Sequence, residues 1–427
     1  MQTKKIGSFR WFIVFLLFLA TCINYLDRQI IGLLKPLLEK EFDWSEKDFG
    51  FIVMSFTAAY AVGLLLSGRL IDLVGTRKGY VVSVVVWSVA GMLHAVAGSA
   101  TGFAFARMAL GLGEAGNFPA AVKAVAEWFP VKERALANGL FNSGTSVGVV
   151  GALLLVPYIL GMYGWKEVFL ITGALGFVWL ALWLVFYQIP AHSKSVSAEE
   201  LAYITAGQTA SPVDGKKVSW RSLFSNRGTW ALIAGKGLID PIYWFFLFWL
   251  PSYFSTAFVL DLKKPSLELM IIYAATTFGS IGGGILSSWL IKKGWPVLKA
   301  RKSVLFLFAL MEVSIILTPY ASNVWLAVLL ISTAVAVHQA WATNIFTLAA
   351  DLFPREAVSS VVGIAGMAGA VGGIVFPLFV GFLLDSYKAA GNLQGGYNVL
   401  FTICGCTYIV VWLIIHLLTK GVKRQVT

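Results

Sequence analysis

A chain of 427 residues with 58% hydrophobic and only 13% charged residues is not a water-soluble domain, in which about a quarter of residues carry charge. The formal net charge of +12 does not mark a nucleic-acid surface, because the lysines and arginines sit in short connections between apolar runs. Three cysteines, Cys22, Cys404 and Cys406, all within apolar runs, exclude a disulfide framework or a zinc site and read as small packing residues.

In chain order, runs long enough to cross a bilayer as a helix recur at 9–34, 49–71, 79–98, 102–124, 136–160 and 165–188, and again at 229–257, 268–292, 301–320, 323–350, 358–384 and 396–419. All are expected to be helices, since lipid offers no partner to an unpaired backbone group. The first follows Lys4, Lys5 and Arg10 but is too long for a cleaved leader, and no small-residue cleavage site precedes Asp27. Only seven of the 33 basic residues fall in connections on the side opposite the chain ends, Lys35, Lys40, Lys47, Lys166, Lys263, Lys264 and Lys388, so both termini are expected in the cytoplasm.

Charges inside these runs are costly, about 2.5–3.5 kcal/mol for an Asp, Lys or Arg at a helix centre, and so mark a cavity, a pair or both. The first run carries "NYLDRQ", with Asp27 and Arg28 adjacent and therefore diverging by about 100° around the helix. The fourth carries Arg107 and Glu114, seven residues apart on one face and expected to interact. The fifth offers the neutral Asn142, Thr145 and Ser146. In the seventh, Lys236 and Asp240 stand four apart, read as a structural ion pair near the cytoplasmic interface. The tenth contains "VHQAWATN", in which His338, Gln339, Trp341 and Asn344 can meet sugar hydroxyls and a ring face or can bond between helices. His94 and His416 read as packing or interface residues.

The longest polar interruption runs from Pro190 to Arg227. Its "SAEELAYITAGQ" has Ser197 and Glu200 at the spacing of a capping box, which predicts a short surface helix. The domains expected on either side are residues 1–189 and 228–427, with 190–227 as a cytoplasmic linker. The halves repeat: "EWFPVKERALANG" from Glu127 returns as "DLFPREAVSSVVG" from Asp351, a shift of 224 residues. "SGRLIDLVGTRKG" at 67–79 is echoed by "GGGILSSWLIKKG" at 282–294. The expected fold is therefore an all-α integral membrane protein of twelve transmembrane helices in two six-helix pseudo-symmetric bundles, an arrangement transporters use. Two stretches imitate enzymes, "GLGEAG" at 111–116 and "GTSVG" at 144–148. Neither follows a strand, and both read as small residues that let helices pack closely.

Gly68, Asp72, Gly75, Arg77 and Lys78 match the inner-loop motif of the major facilitator superfamily. "NYLDR", "ARMALGLGEAGNFPA", "EWFPVKERALANG" and "GWKEVFLITG" resemble its anion:cation symporter family, closest to bacterial hexuronate and aldonate permeases, over nearly the whole chain. The resemblance implies a proton-coupled sugar-acid importer of the inner membrane, multi-pass and monomeric, with no cofactor, no enzymatic activity and no nucleic-acid partner. By resemblance, Arg28 contacts the substrate carboxylate, Tyr60 lines the pocket, Asp27 and Glu114 couple protons, and Arg107 modulates Glu114. Asp72, Arg77 and Lys78 latch a gate, Asp72 near the start of the eleventh helix, and Arg134 is grouped with them. His338 and Gln339 resemble the residues hexuronate permeases carry at this place. Some of those permeases have threonine where Asp27 stands, which leaves proton number and substrate open. The competing expectation is a symporter of another anion, such as sialate, a dicarboxylate or phosphate. A sensor of the same fold is a more distant one.

Overall fold

The computed structural model describes residues 7–205, 218–258 and 267–420. Of the basic residues that set the expected orientation, Lys4, Lys5, Lys216, Lys217, Lys263, Lys264, Lys423 and Arg424 lie outside the described residues. Every regular element among the described residues is helical. In order they are α1 (Phe9–Phe42), α2 (Glu46–Val74), α3 (Thr76–Leu93), α4 (Ala100–Glu114), α5 (Asn117–Trp128), α6 (Arg134–Met162), α7 (Trp165–Phe186), α8 (Ala198–Thr205) and α9 (Trp220–Ser225). They continue as α10 (Arg227–Gly237), α11 (Asp240–Phe258), α12 (Leu267–Lys292), α13 (Val297–Glu312, prolonged by a 3₁₀ turn to Tyr320), α14 (Val324–Leu352), α15 (Arg355–Ala389) and α16 (Leu393–Leu418).

Among the described residues, ten helices are each long and apolar enough to cross a membrane. The other two crossings are broken, one into α4 and α5 by the turn at Ala115–Gly116, the other into α10 and α11 at Leu238–Ile239. Hydropathy alone anticipates neither break, because the residues that make them are small or apolar. The first helix runs eight residues past its expected end at Leu34, through Pro36 to Phe42, and closes on Asp43 in the left-handed conformation (φ 52°). The sequence repeat survives as geometry. Phe129 and Phe353 each end a helix in extended conformation (φ −122°, ψ 137° and φ −117°, ψ 150°), as a residue before proline must.

The first six crossings meet the last six where helices touch backbone to backbone. A Cβ on Gly68 of α2 would stand 2.3 Å from the Ser359 carbonyl oxygen of α15, and one on Gly363 of α15 would stand 2.1 Å from the Leu64 oxygen of α2. The second crossing has the same form: Gly139 of α6 against Ser280 of α12 (2.4 Å), and Gly284 of α12 against Ala135 of α6 (2.3 Å). Both crossings lie toward the end of the molecule at which α1 begins and α16 finishes, hereafter the termini end.

In the linker, Ser197 caps α8, its Oγ accepting from Glu200 N (3.1 Å). The Glu200 carboxylate does not return to close the expected capping box. It accepts instead from Arg10 N (3.3 Å) and Nη1 (3.1 Å), while Arg10 Nε donates to Glu133 (3.0 Å) and Tyr203 Oη donates to the other Glu133 oxygen (2.7 Å). Burial, reinforced by the Glu133 carboxylate, pushes the Tyr203 phenol up to about 12.

Candidate functional site

The charges of the first half converge between α1, α2 and α4. Arg28 Nε donates to Glu114 Oε2 at 2.6 Å, with the acid fully buried and the arginine partly so. The guanidinium lies over Tyr60 (4.3 Å), Tyr25 (4.7 Å) and Phe56 (5.4 Å), a cage suited to a flat cation. Local sequence explains the placement. The α4 helix stops at Glu114, and Gly111 lets α2 approach so closely that a Cβ there would be 2.6 Å from the Phe56 carbonyl. The "GLGEAG" stretch is thus a packing device, as is "GTSVG", where a Cβ on Gly148 would sit 2.3 Å from the Cys22 carbonyl of α1.

The expected Arg107–Glu114 interaction is an electrostatic one across two turns of α4, not a direct ion pair. Arg28, 86 residues away, makes the ion pair, and Arg107 Nη2 instead donates to the Arg28 carbonyl oxygen at 3.4 Å. Two helical turns hold Arg107 and Glu114 apart along α4, so each reaches across to α1. Asp27 is buried, with Thr172 and Arg107 as polar neighbours. Among the described residues, both Asp27 oxygens, Glu114 Oε1, Arg28 Nη2 and Arg107 Nε are buried without a hydrogen-bond partner. So many open donors and acceptors in one place are uncommon and costly in a structure that uses them only for packing.

The opposite wall comes from the second half. Lys236 Nζ meets Asp240 Oδ2 at 2.8 Å across the α10–α11 break and lies 4.6 Å over Phe346. Phe346 stacks on Phe118 (5.2 Å), which in turn meets Tyr25 (6.4 Å). This chain of rings connects the pair to the Arg28 cage. His338 Nδ1 is 2.8 Å from Tyr408 Oη, and its ring stacks on Tyr243 (4.7 Å). Asn142 Nδ2 donates to Gln339 Oε1 and to Ser280 Oγ, both at 2.9 Å, bridging the halves. Thr145 lies buried one turn along α6, and Ser146 bonds Thr276 (2.6 Å). Trp341 and Asn344, for which a wall role and an inter-helix role both stood open, give their N–H groups to main-chain carbonyls of α10 and α12 and, for Asn344, also of its own helix. Trp341 Nε1 donates to the Gly235 oxygen (3.0 Å), and Asn344 Nδ2 donates to those of Gly283 (3.1 Å) and Ala340 (2.9 Å).

Toward the termini end, two acids span the halves. Asp72 accepts from Lys123 Nζ (2.7 Å) and from the backbone N–H groups of Ser359 (3.3 Å) and Ser360 (2.7 Å), at the positive end of α15. Asp351 holds Arg134 Nη1 (3.2 Å) and Arg301 Nε (3.0 Å), one from each half. Arg77 and Lys78, expected in the same latch, are exposed, and Arg77 Nη2 donates to Leu184 O within the first half. Sequence reading passed over Lys123, Arg301 and Asp351 as partners. Their signal was the repeat: Arg301 and Asp351 lie 224 residues beyond Arg77 and Glu127. It also passed over Glu312, an acid in α13 that is fully buried with neither oxygen partnered among the described residues.

Comparison with known proteins agrees with this architecture. The family model described as Major Facilitator Superfamily matches residues 17–377. The hexuronate transporter of Escherichia coli (strain K12) is 32% identical over 423 residues, covering 97% of this chain and 95% of that protein. The galacturonate transporter of Dickeya chrysanthemi is 34% identical over 313 residues (72% and 90%), and the probable galactarate/D-glucarate transporter GarP of E. coli K12 is 30% identical over 441 residues (99% and 98%). The proton:xylose symporter XylE, solved with 6-bromo-6-deoxy-D-glucose, shares the fold with a TM-score of 0.75 at 16% identity, over 97% of this chain and 96% of that one. Twelve helical crossings, a sequence repeat that recurs as geometry and these relatives agree: the chain belongs to the Major Facilitator Superfamily and is a multi-pass membrane transporter.

Proposed function

We propose that the chain is a proton-driven importer of sugar acids, a hexuronate such as galacturonate or glucuronate, or an aldonate, working by alternating access. The observation that carries the reading is the Arg28–Glu114 pair at 2.6 Å, with Arg28 Nη2 and Glu114 Oε1 still open. A guanidinium presents two parallel N–H donors to a carboxylate, so Glu114 and a substrate carboxylate compete for the same cation. Protonating Glu114 removes the competitor and its charge together. The anion then takes Arg28, and the site closes without an uncompensated charge. After opening to the other side, proton loss from Glu114 returns it to Arg28 and expels the anion. Asp27, buried near Arg107, takes part in the same proton coupling.

Tyr60 and the other cage rings meet the sugar's apolar face, and Asn142, Thr145, His338 and Gln339 its hydroxyls. The names of the relatives support the substrate class. Asp72 and Arg134 act as gate residues through the partners described above, holding the termini end shut while the site opens to the opposite face. The distribution of basic residues supports cytoplasmic termini in the inner membrane. The protein works as a monomer and is driven by the proton gradient alone.

The test is uptake of labelled galacturonate into proteoliposomes under an imposed proton gradient, challenged with glucuronate, galactonate, sialate, succinate and phosphate. Acid-outside vesicles should accumulate label, and the sugar acids should compete. Competition by phosphate or succinate but not by the uronates would move the chain to another anion.

A further inference from the structure

Lys236 and Asp240 are built like Arg28 and Glu114, from the other wall. Each pair joins one cation to one acid, at 2.8 Å and 2.6 Å. Each sits at a helix break: α4 stops at Glu114, and α10 stops between Lys236 and Asp240. Each cation lies against the aromatic floor, Arg28 over Tyr25 and Lys236 over Phe346. Asp240 is within electrostatic reach of Tyr25, the ring beneath Arg28, and Phe346 and Phe118 connect Lys236 to that same ring, so the two pairs are neighbours across the halves. The side chains of Lys236 and Asp240 keep 11% and 22% exposure, against 6% and 1% for Lys123 and Asp72. Room for the acid comes from Gly369 of α15, where a Cβ would lie 2.3 Å from Asp240 Oδ2.

Charge balance gives the pair a use. Arg28, Arg107 and Lys236 are cancelled by Asp27, Glu114 and Asp240 when all are ionised. An anion entering so balanced a chamber leaves one excess negative charge per carboxylate unless a proton accompanies each. We infer that Lys236 is a second anion receptor, released when Asp240 takes a proton, and that the chain accepts sugar acids with a carboxylate at both ends, each entering with its own proton. This rests on the reading of Arg28 as receptor of the first carboxylate. The titratable groups facing the pair are Tyr25 from α1, His338 from α14, Tyr408 from α16 and Tyr243 on α11 itself. Toward Asp240, α15 presents Gly369, which has no side chain to titrate.

The experiment is equilibrium binding of galactarate and galacturonate to the full-length protein in nanodiscs between pH 6 and 8. Where the acids are ionised in the free protein, one linked proton weakens binding about tenfold per pH unit and two weaken it about a hundredfold. Galactarate should follow the steeper slope and galacturonate the shallower. Lys236→Gln should weaken galactarate about thirtyfold and galacturonate only about threefold, a charge-assisted contact being worth roughly that difference. Lys236→Arg should restore galactarate. Asp240→Asn, which imitates the protonated acid, should bind galactarate with the one-proton slope, and it serves if the glutamine variant does not fold. Equal slopes, equal losses for both ligands, or galacturonate binding without galactarate binding would each overturn the inference while leaving the sugar-acid reading standing. Failure of the wild-type protein to bind galacturonate, glucuronate, galactonate or galactarate would overturn both.

Discussion

The termini end and the middle of the molecule contain the same kinds of charged residue put to opposite uses. At the termini end, Asp351 is gripped by Arg134 and Arg301, and Asp72 is held by Lys123 and two backbone N–H groups. At mid-depth, Arg28, Arg107, Glu114 and Asp27 retain buried atoms with no partner among the described residues. A saturated cluster fixes one arrangement, whereas an open one leaves donors and acceptors to be met, which is what the proposed binding of an anion and a proton would do. Burial alone does not separate them, since Arg301 and Glu114 are both fully buried.

The largest effect should come from breaking saturation. Asp351→Ala leaves two buried guanidinium groups without their acid and should cost about 3–5 kcal/mol of stability or shift the molecule toward opening at the termini end. Thermal unfolding, with thiol labelling of cysteines introduced at that end, reads both outcomes, and an unchanged melting temperature with unchanged labelling would contradict the description. Next comes the open cluster: Arg28→Gln should lower uptake at limiting galacturonate about a hundredfold or more, roughly 3 kcal/mol, with folding preserved. Full accumulation by that variant would remove Arg28 from the scheme.

Glu114→Gln should sharpen the contrast. It keeps the shape but cannot titrate or compete as an anion, so galacturonate exchange should persist while concentrative uptake is lost. Wild-type binding should strengthen as pH falls, because protonation frees Arg28, and the variant's binding should lose most of that slope. Smallest is Tyr203→Phe, which keeps the ring beside Arg10 and removes one hydrogen bond to Glu133. A change of about 1 kcal/mol or less in stability is expected, with uptake unaffected.

Hydropathy made the crossings legible because lipid imposes one length and one polarity on every span. The breaks at Ala115–Gly116 and Leu238–Ile239 were hidden, since those residues are as apolar as a continuous helix would need. Partner choice was hidden for a different reason. Spacing along α4 places Arg107 and Glu114 on one face, but which cation reaches the acid depends on how closely α1 packs, and Gly144 and Gly148 of a different helix, α6, let it approach. Trp341 and Asn344 looked like wall residues because a polar side chain in a span has the same signature whether it faces a cavity or a neighbouring carbonyl.

At the two glycine crossings, Gly68 against Gly363, and Gly139 against Ser280 with Gly284 against Ala135, the halves approach main chain to main chain. A seam of that kind has no interlocked rotamers to undo and none to search for when it reseals. If the halves rock there, smooth van der Waals contact is traded for lipid or water, and the side-chain bonds between the halves, ionic and neutral, carry the remaining resistance. Adding bulk at Gly68 should therefore wedge the seam, holding the termini end ajar even with the ion pairs there chemically intact.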